Sequence, residues 1–360
     1  MNHMEDKKSM FHFDTYPAPL KKVIAYTQKY SKAPEVKGNI LTKIFLQLLV
    51  SGAMSLSWKT AYRLGTLIGL LLYRFKLRRK VAMINLDIVF GNRKTKEEKE
   101  EIYKASLINF GRVIINYLRL PFMGESFWQN NCDWKTEGIF QEIMNRKKGA
   151  LLLAGHIGMM DLAGGKIGFS GYPVAVVGKR IKNPAINQFT IETRNAMNLG
   201  TIAHRDSMRR ILEGIKRGEA VAMALDQNMK SGQGSFINWM GHTASSVRSA
   251  AYVVRRTGAP VLAGYMFQKG VDRFELVATE EVTWEPFPED PERELTVNTQ
   301  KQSNAIQKII YEHPELWFWI HQRYRRQPEG TSNPYAHLEG RKKRKRKKRK
   351  KRKATKSGNI

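Results

Sequence analysis

The sequence predicts an α/β protein: a central, largely parallel or mixed sheet flanked by helices, with an N-terminal apolar helical membrane segment and a disordered basic C-terminal tail. Three observations lead there. Apolar runs at 150–154, 173–177, 220–225 and 260–267 alternate with helical stretches near 184–198, 206–217 and 245–257, the pattern of a layered domain with a mainly parallel sheet. Two further apolar runs, Ile44–Trp58 and Leu64–Phe75, stand ahead of it between basic residues. Thirteen consecutive Lys/Arg, Arg341–Lys353, close the chain; like charges repel and there is nothing to bury, so this stretch cannot fold alone. The expected organisation is an extension over 1–38, a membrane-associating helical segment over 39–76, a single domain over 77–330 and a tail over 331–360.

The elements follow in order. Residues 1–38 are polar, with Pro17, Pro19 and Pro34, and the first strong apolar run begins near Ile40, so no signal peptide is expected. Each of the two apolar runs is short for a span, which needs about 20 apolar residues. Together they suit one tilted span or a pair lying in the interface, anchored by Lys43, Lys59, Arg74, Lys76 and Arg78–Lys80; a buried helical hairpin is the alternative. Residues 81–120 look helical: Thr95-Lys96-Glu97-Glu98 fits a capping box, Tyr103, Leu107, Phe110, Ile114 and Leu118 recur at helical spacing, and Pro121 ends the run. A strand near 273–278 and a helix near 293–312 complete the domain.

Composition limits the chemistry. The single cysteine, Cys132, excludes an internal disulfide framework and a cysteine-based metal site. No His-x-x-x-His pair suggests a metal, and no cofactor is implied: the phosphate-loop and dinucleotide fingerprints are missing. Gly168-Phe169-Ser170-Gly171-Tyr172 lacks the last glycine of a serine-hydrolase elbow. The net charge is +30, and residues 341–360 hold 14 of the basic residues; the rest keeps 48 basic against 32 acidic. Such a surface attracts an anionic membrane surface, an acidic carrier protein or nucleic acid. A basic nucleic-acid-binding protein is the alternative from another class, although no specific nucleic-acid-reading module is recognisable.

The chemically suggestive stretch is Ala150–Asp161. An apolar strand ends in Gly155-His156, and Asp161 follows five residues later. A histidine at a strand end is where α/β enzymes keep reactive groups, and a carboxylate one turn on can hold one imidazole nitrogen and leave the other as a general base. With no serine beside it, such a pair suits activation of a hydroxyl that belongs to the substrate. His-x4-acid is short, however. With 8 His and 32 acids in 360 residues roughly 0.7 such pairs arise by chance, so the spacing leaves open a merely satisfied histidine. Downstream, Lys179–Pro184, Arg194, His204-Arg205-Asp206 and Asp226-Gln227-Asn228 fall at strand ends and helix starts, which a parallel sheet brings to the edge that carries His156.

In order along the chain, these blocks resemble the bacterial lipid A biosynthesis (lauroyl/myristoyl) acyltransferase family, within the lysophospholipid acyltransferase superfamily. The resemblance covers roughly residues 60–328. It runs through Arg79–Phe90, Gly155-His156-x4-Asp161, Lys179–Pro184, Ile211–Gly218, Leu225-Asp226-Gln227, Met240-Gly241 and Arg256–Val261, and closes with the distinctive Pro314–Tyr324. It implies transfer of a fatty acyl chain, usually from acyl carrier protein or another acyl thioester, to a hydroxyl of a membrane glycolipid. A lipid A precursor is the first expectation and another phospholipid or glycolipid the alternative, at the cytoplasmic face of a bacterial inner membrane. His156 matches the catalytic histidine and Asp161 the acid beside it. Arg194 and Asp226 match further functional positions, and Lys179 stands where an Arg is common, so the three are expected to bind substrate. The chain departs from the pattern at Asp161, where Glu is frequent, and at Trp239-Met240-Gly241, where Phe-Phe-Gly is usual.

Overall fold

The computed structural model describes residues 40–119, 123–203, 207–229 and 234–338. The 1–38 extension, His204-Arg205-Asp206 and the basic run Arg341–Lys353 lie outside the described residues. Helices α1 (Ile40–Met54), α2 (Trp58–Arg74), α3 (Arg79–Phe90), α4 (Lys96–Arg119) and α5 (Glu125–Asn130) precede β1 (Cys132–Trp134) and α6 (Glu137–Asn145). Then come β2 (Ala150–Ala154), α7 (Met160–Phe169), β3 (Val174–Gly178), α8 (Pro184–Ala196), β4 (Leu199–Ala203), α9 (Ser207–Lys216) and β5 (Ala220–Ala224). The chain continues through β6 (Gly234–Trp239), β7 (His242–Val247), α10 (Ser249–Thr257), β8 (Val261–Gln268), β9 (Phe274–Ala278) and α11 (Pro291–Glu312).

Seven strands form one sheet in the order β1-β9-β8-β2-β5-β3-β4. The five from β8 to β4 are parallel, whereas β9 is antiparallel to β8 and carries β1 parallel to itself, so the sheet is mixed. Its central strands β2, β5 and β3 are short runs of Ala, Val, Leu, Met and Gly that carry no charge, as strands covered on both faces require. The chain leaves β2 for β3 and β4, then returns to place β5 between β2 and β3. Ala150–Ala154 pairs in register with Ala220–Ala224. That register governs the site: whatever lies two residues past Ala154 meets whatever lies two residues past Ala224.

Several local expectations are refined. The helical stretch 81–120 is two helices, broken by a turn at Gly91–Arg93. The second starts at the expected capping box, where the Thr95 N–H donates to Glu98 Oε2 at 2.7 Å and the Glu98 N–H to Thr95 Oγ1 at 3.2 Å. The helix expected near 245–257 begins only at Ser249, because 242–247 is a strand of a separate two-stranded hairpin. That hairpin turns at Met240 (φ 52°) and Gly241 (φ 92°), a two-residue loop with both residues left-handed. Within the described residues 331–338 the chain is anchored at Tyr335, which is fully buried and whose hydroxyl donates to Asn85 Oδ1.

The expected N-terminal membrane segment requires correction. Among the described residues no helix is long and apolar enough to cross a membrane. The two apolar runs are separate helices of 15 and 17 residues, split at Ser55–Ser57, with Ser57 capping α2. Helix α2 is joined to α4 by backbone contact at glycines. A Cβ on Gly69 would fall 2.3 Å from the Ile108 Cα, and one on Gly111 would fall 2.2 Å from the Gly65 carbonyl oxygen. The outer faces remain apolar: Leu41, Phe45 and Leu48 are 60–70% exposed on α1, and Leu67, Leu71 and Phe75 are exposed on α2.

Gly111→Val is therefore expected to force α2 away from α4 and to cost at least the roughly 1–3 kcal/mol of ordinary overpacking. Gly52, on α1, has nothing within 4 Å of its would-be Cβ, so Gly52→Ala is expected to hold or raise stability, by up to about 1 kcal/mol. Thermal unfolding in detergent checks both; an unchanged Tm for Gly111→Val would contradict the close helix contact.

Candidate active site

The parallel register of β2 and β5 delivers His156 and Asp226 to the same sheet edge as neighbours. The chain turns out of β2 over Gly155–Gly158, where Gly158 is left-handed (φ 55°), and the Leu225 N–H still donates to the Ala154 carbonyl at 3.0 Å, which keeps the two strand ends together. The Asp226 carboxylate then accepts three hydrogen bonds. The His156 backbone N–H reaches Oδ2 at 2.8 Å, the His156 ring Nδ1 lies 2.9 Å from Oδ1, and the Trp317 indole N–H reaches Oδ2 at 2.9 Å. Asp226 is buried at 3% exposure, whereas the His156 side chain is 36% exposed.

The electrostatics follow from this placement. Burial pushes the Asp226 carboxyl up, but the charge of His156 and the three donors overcome it and hold the group at about 2. Burial pulls the His156 imidazole down, and Asp226, by charge and hydrogen bond, followed by the charge of Asp161, raises it above its ordinary 6.5. An ionised carboxylate cannot donate, so Nδ1 carries the proton and the neutral ring presents Nε2 as an acceptor. The nearby His321 is pushed down to about 4, by burial above all. It stays neutral, and its Nε2 accepts the Asn228 N–H at 3.3 Å.

The expectation that Asp161 orients His156 is therefore corrected. Asp226 makes that contact, because the parallel register places it beside the ring. Asp161, in the first turn of α7, is bound instead by Arg194 near the end of α8, with Nε at 3.1 Å and Nη2 at 3.4 Å from the two carboxylate oxygens. Both partners are nearly buried, at 11% and 12% side-chain exposure. The Arg194 guanidinium lies against Gly178, where a Cβ would sit 2.8 Å from Nη1. Arg194 and Asp226, both expected on the substrate, are thus committed to protein partners. Lys179, one residue past β3, is exposed. Cys132 is buried on β1 away from this group, its thiol pushed up to about 12 by burial.

The residue whose role sequence reasoning did not single out is Trp317. It lies in the Pro314–Tyr324 block, whose backbone is laced to the His156 turn: the Gly158 N–H donates to the Leu316 carbonyl at 3.0 Å, and the Phe318 N–H to the His156 carbonyl at 3.1 Å. The same block is held from below, where Asn85 donates to the Trp319 and His321 carbonyls at 2.6 and 2.8 Å. Arg323, fully buried, stacks on Trp239 and donates to Ser245 O at 2.8 Å and to the Ser246 hydroxyl. The only signal in the sequence was the density of aromatic residues in that block.

His156 opens onto a cavity of about 170 Å³ between α4, the His156–Leu162 turn and the 316–318 segment. Its walls include Phe110, Val113, Met159, Met160, Leu316 and Phe318. A second cavity, about 60 Å³, lies between the sheet and α7 and shares Met160 and Asp161 with the first. A neutral imidazole at the mouth of an apolar cavity can take a proton from a hydroxyl whose reaction partner carries a hydrocarbon chain.

NMR titration of the His156 ring is expected to give a pKa above 6.5. In Asp226→Asn the value is expected to fall below 6.5, because burial would then be opposed only by Asp161. A wild-type ring titrating at or below 6.5 would contradict the assignment of Asp226 as its partner.

A family model described as bacterial lipid A biosynthesis acyltransferase matches residues 28–326. The chain is 26% identical over 278 residues to the lipid A biosynthesis palmitoleoyltransferase of Escherichia coli (strain K12), covering 76% of this chain and 87% of that one. The lipid A biosynthesis acyltransferase of Shigella flexneri matches to the same extent. The lipid A biosynthesis lauroyltransferase of Escherichia coli (strain K12) is 22% identical over 291 residues, 78% of this chain and 90% of that one. A match that takes in the helices α1–α4, every strand of the sheet and the Pro314–Tyr324 block places the chain in the bacterial lipid A biosynthesis acyltransferase family, a family of enzymes.

Proposed function

We propose that the protein transfers a fatty acyl chain from an acyl thioester, with acyl carrier protein as donor, to a hydroxyl of a lipid A precursor. The observation that carries this reading is the Asp226–His156 pair, with its unprotonated Nε2 at an apolar cavity, in a chain of this family. A thioester is already activated, so no covalent intermediate on the enzyme is needed. His156 Nε2 takes the proton of the acceptor hydroxyl as its oxygen attacks the thioester carbonyl, and Asp226 stabilises the imidazolium that forms. The proton then passes to the departing thiolate. The 170 Å³ cavity receives the part of the acyl chain next to the thioester. Asp161 adds negative charge near the ring and, through Arg194, ties the start of α7 to the end of α8. Lys179, exposed at the end of β3, meets the anionic headgroup.

The site must reach a lipid, and the outer faces of α1 and α2 support that. Leu41, Phe45 and Leu48 follow helical spacing on one face of α1, and Leu67, Leu71 and Phe75 extend it. Such a face beside Lys59, Arg74, Lys76 and Arg78 suits helices lying in an anionic interface, at the cytoplasmic face of the inner membrane.

His156→Ala is expected to lower transfer by about 10²–10⁴-fold, the range of general-base catalysis, in a protein that still folds but with a lower Tm, because the buried Asp226 loses one of its three donors. Because the base must be neutral, the acid limb of kcat/KM against pH is expected above 6.5, and it should move to lower pH in Asp226→Asn along with a large loss of rate. Full transfer activity in His156→Ala, assayed by mass spectrometry of an acylated lipid A precursor, would refute the mechanism.

Leu41→Glu with Leu48→Glu is expected to weaken binding to anionic vesicles strongly while leaving turnover on detergent-dispersed substrate near wild type. Flotation of both forms with vesicles checks this; equal flotation would exclude α1 as the contact.

A further inference from the structure

The sheet edge that carries His156 also carries an exposed loop of mixed chemistry. Past the end of β3, Lys179-Arg180-Ile181-Lys182-Asn183 leads into α8, and all five residues are exposed. Ile181 is 36% exposed, and Ile186, in the first turn of α8, is 38% exposed. Among the described residues Lys179, Arg180 and Lys182 have no carboxylate partner. The loop is nevertheless fixed. The Ile181 N–H donates to the Asn187 side-chain oxygen at 2.9 Å, and Asn183 caps α8 by accepting from the Ala185 and Ile186 N–H groups at 3.0 and 3.2 Å. Pro184 between them has no N–H to satisfy. A loop that enters a lipid surface pays for every backbone donor that loses water and finds no other partner. Here the donors of both isoleucines are already taken, and little chain entropy is left to lose.

We propose that the Lys179–Ile186 loop is a membrane-docking point: Ile181 and Ile186 enter the interface of an anionic bilayer, while Arg180 and Lys182 meet its headgroups. The cations alone would suit an acidic carrier protein as well. The two isoleucines and their satisfied N–H groups favour the lipid. Helix α8 packs against α1, so the loop adds a second contact, on another element, to the one argued for α1. Two contacts fix a tilt where one leaves the chain free to roll. Because the second lies at the carboxyl end of β3, it brings the sheet edge of His156 to headgroup level, where an acceptor hydroxyl lies. That use of the contact rests on the acyl-transfer reading; the contact itself does not.

A local probe is the test, since binding of the whole chain to vesicles also reports α1 and the basic run Arg341–Lys353. Cys132 is buried, with its thiol pushed up to about 12, so a polarity-sensitive maleimide dye labels the full chain selectively through Ile181→Cys. Lys148, exposed just ahead of β2 and so at the opposite sheet edge, gives the reference position through Lys148→Cys. Phosphatidylethanolamine vesicles are added with and without phosphatidylglycerol. With phosphatidylglycerol the dye at 181 is expected to shift to the blue and to be quenched by lipids spin-labelled on the acyl chain, and the dye at 148 to do neither. Arg180→Gln with Lys182→Gln, in the Ile181→Cys chain, is expected to raise the lipid concentration at half-shift by about fivefold for each charge removed. A dye at 181 that stays in water, or one that shifts no more than the dye at 148, would overturn the docking point. A shift that needs acyl carrier protein in place of vesicles would overturn it in favour of a carrier contact. No substrate turns over in this measurement, so a wild type unable to acylate a lipid A precursor would refute the transfer reading and leave the result for the loop standing.

Discussion

The site depends on one buried carboxylate. Asp226 sits at the carboxyl end of β5, out of water, with three donors on its two oxygens. Removing an ion from water costs several kcal/mol unless its lone pairs are satisfied, and here each donor comes from a different part of the chain's logic. The ring of His156 is the reactive partner. The His156 backbone N–H locks the turn that carries the ring. The Trp317 indole, 91 residues further on, ties the C-terminal block to both. The carboxylate is thus a structural centre and an electrostatic one. The contacts that keep it ionised also hold His156 in one tautomer, with the far nitrogen left unprotonated.

The spacing from His156 to Asp161 then takes on a different meaning. Asp161 is close enough to raise the His156 pKa by its charge, but its oxygens face Arg194. A nearly buried ion pair of this kind contributes little net stability when both partners are present, and leaves a costly unpaired charge when one is removed. Its effect is geometric: it connects the first turn of α7, which follows the catalytic turn, to α8 and, past Gly178, to the end of β3. Any loss of activity on changing Asp161 or Arg194 would thus have two separable origins, a weaker field at His156 and a displaced turn. Only the first is read by the titration of the ring.

Much of the fold was legible because its strands are short apolar runs between helices with clear limits. β2, β3, β5 and β8 fall within a residue or so of the runs that announced them, and the Thr95–Glu98 box marks the true start of α4. What could not be read is instructive. β4, Leu199-Gly-Thr-Ile-Ala203, is a strand whose apolar signal is broken by Gly200 and Thr201, and it forms because β3 offers a paired edge. The β6–β7 hairpin hid because its turn is Met240-Gly241 in place of the usual Asn-Gly or Asp-Gly. In the site, His156 was visible as a residue, but its partner was not. Spacing along the chain favoured Asp161, whereas pairing across the sheet selects Asp226, and register is a tertiary property that no local window contains.

The N-terminal helices show the same limit from the other side. Hydropathy alone cannot distinguish a span from an amphipathic pair, since both are rich in Leu. The glycines decide it. Gly65, Gly69 and Gly111 let the α2 and α4 backbones approach so closely that no side chain fits between them, and this fixes one face of α2 to the domain while Leu67, Leu71 and Phe75 face outward. Because α4 also supplies Phe110 and Val113 to the wall of the cavity at His156, the apolar outer surface and the reactive site are held on two sides of one rigid helix pair. For the acyl transfer proposed above, that coupling would keep the base at a fixed offset from the apolar surface.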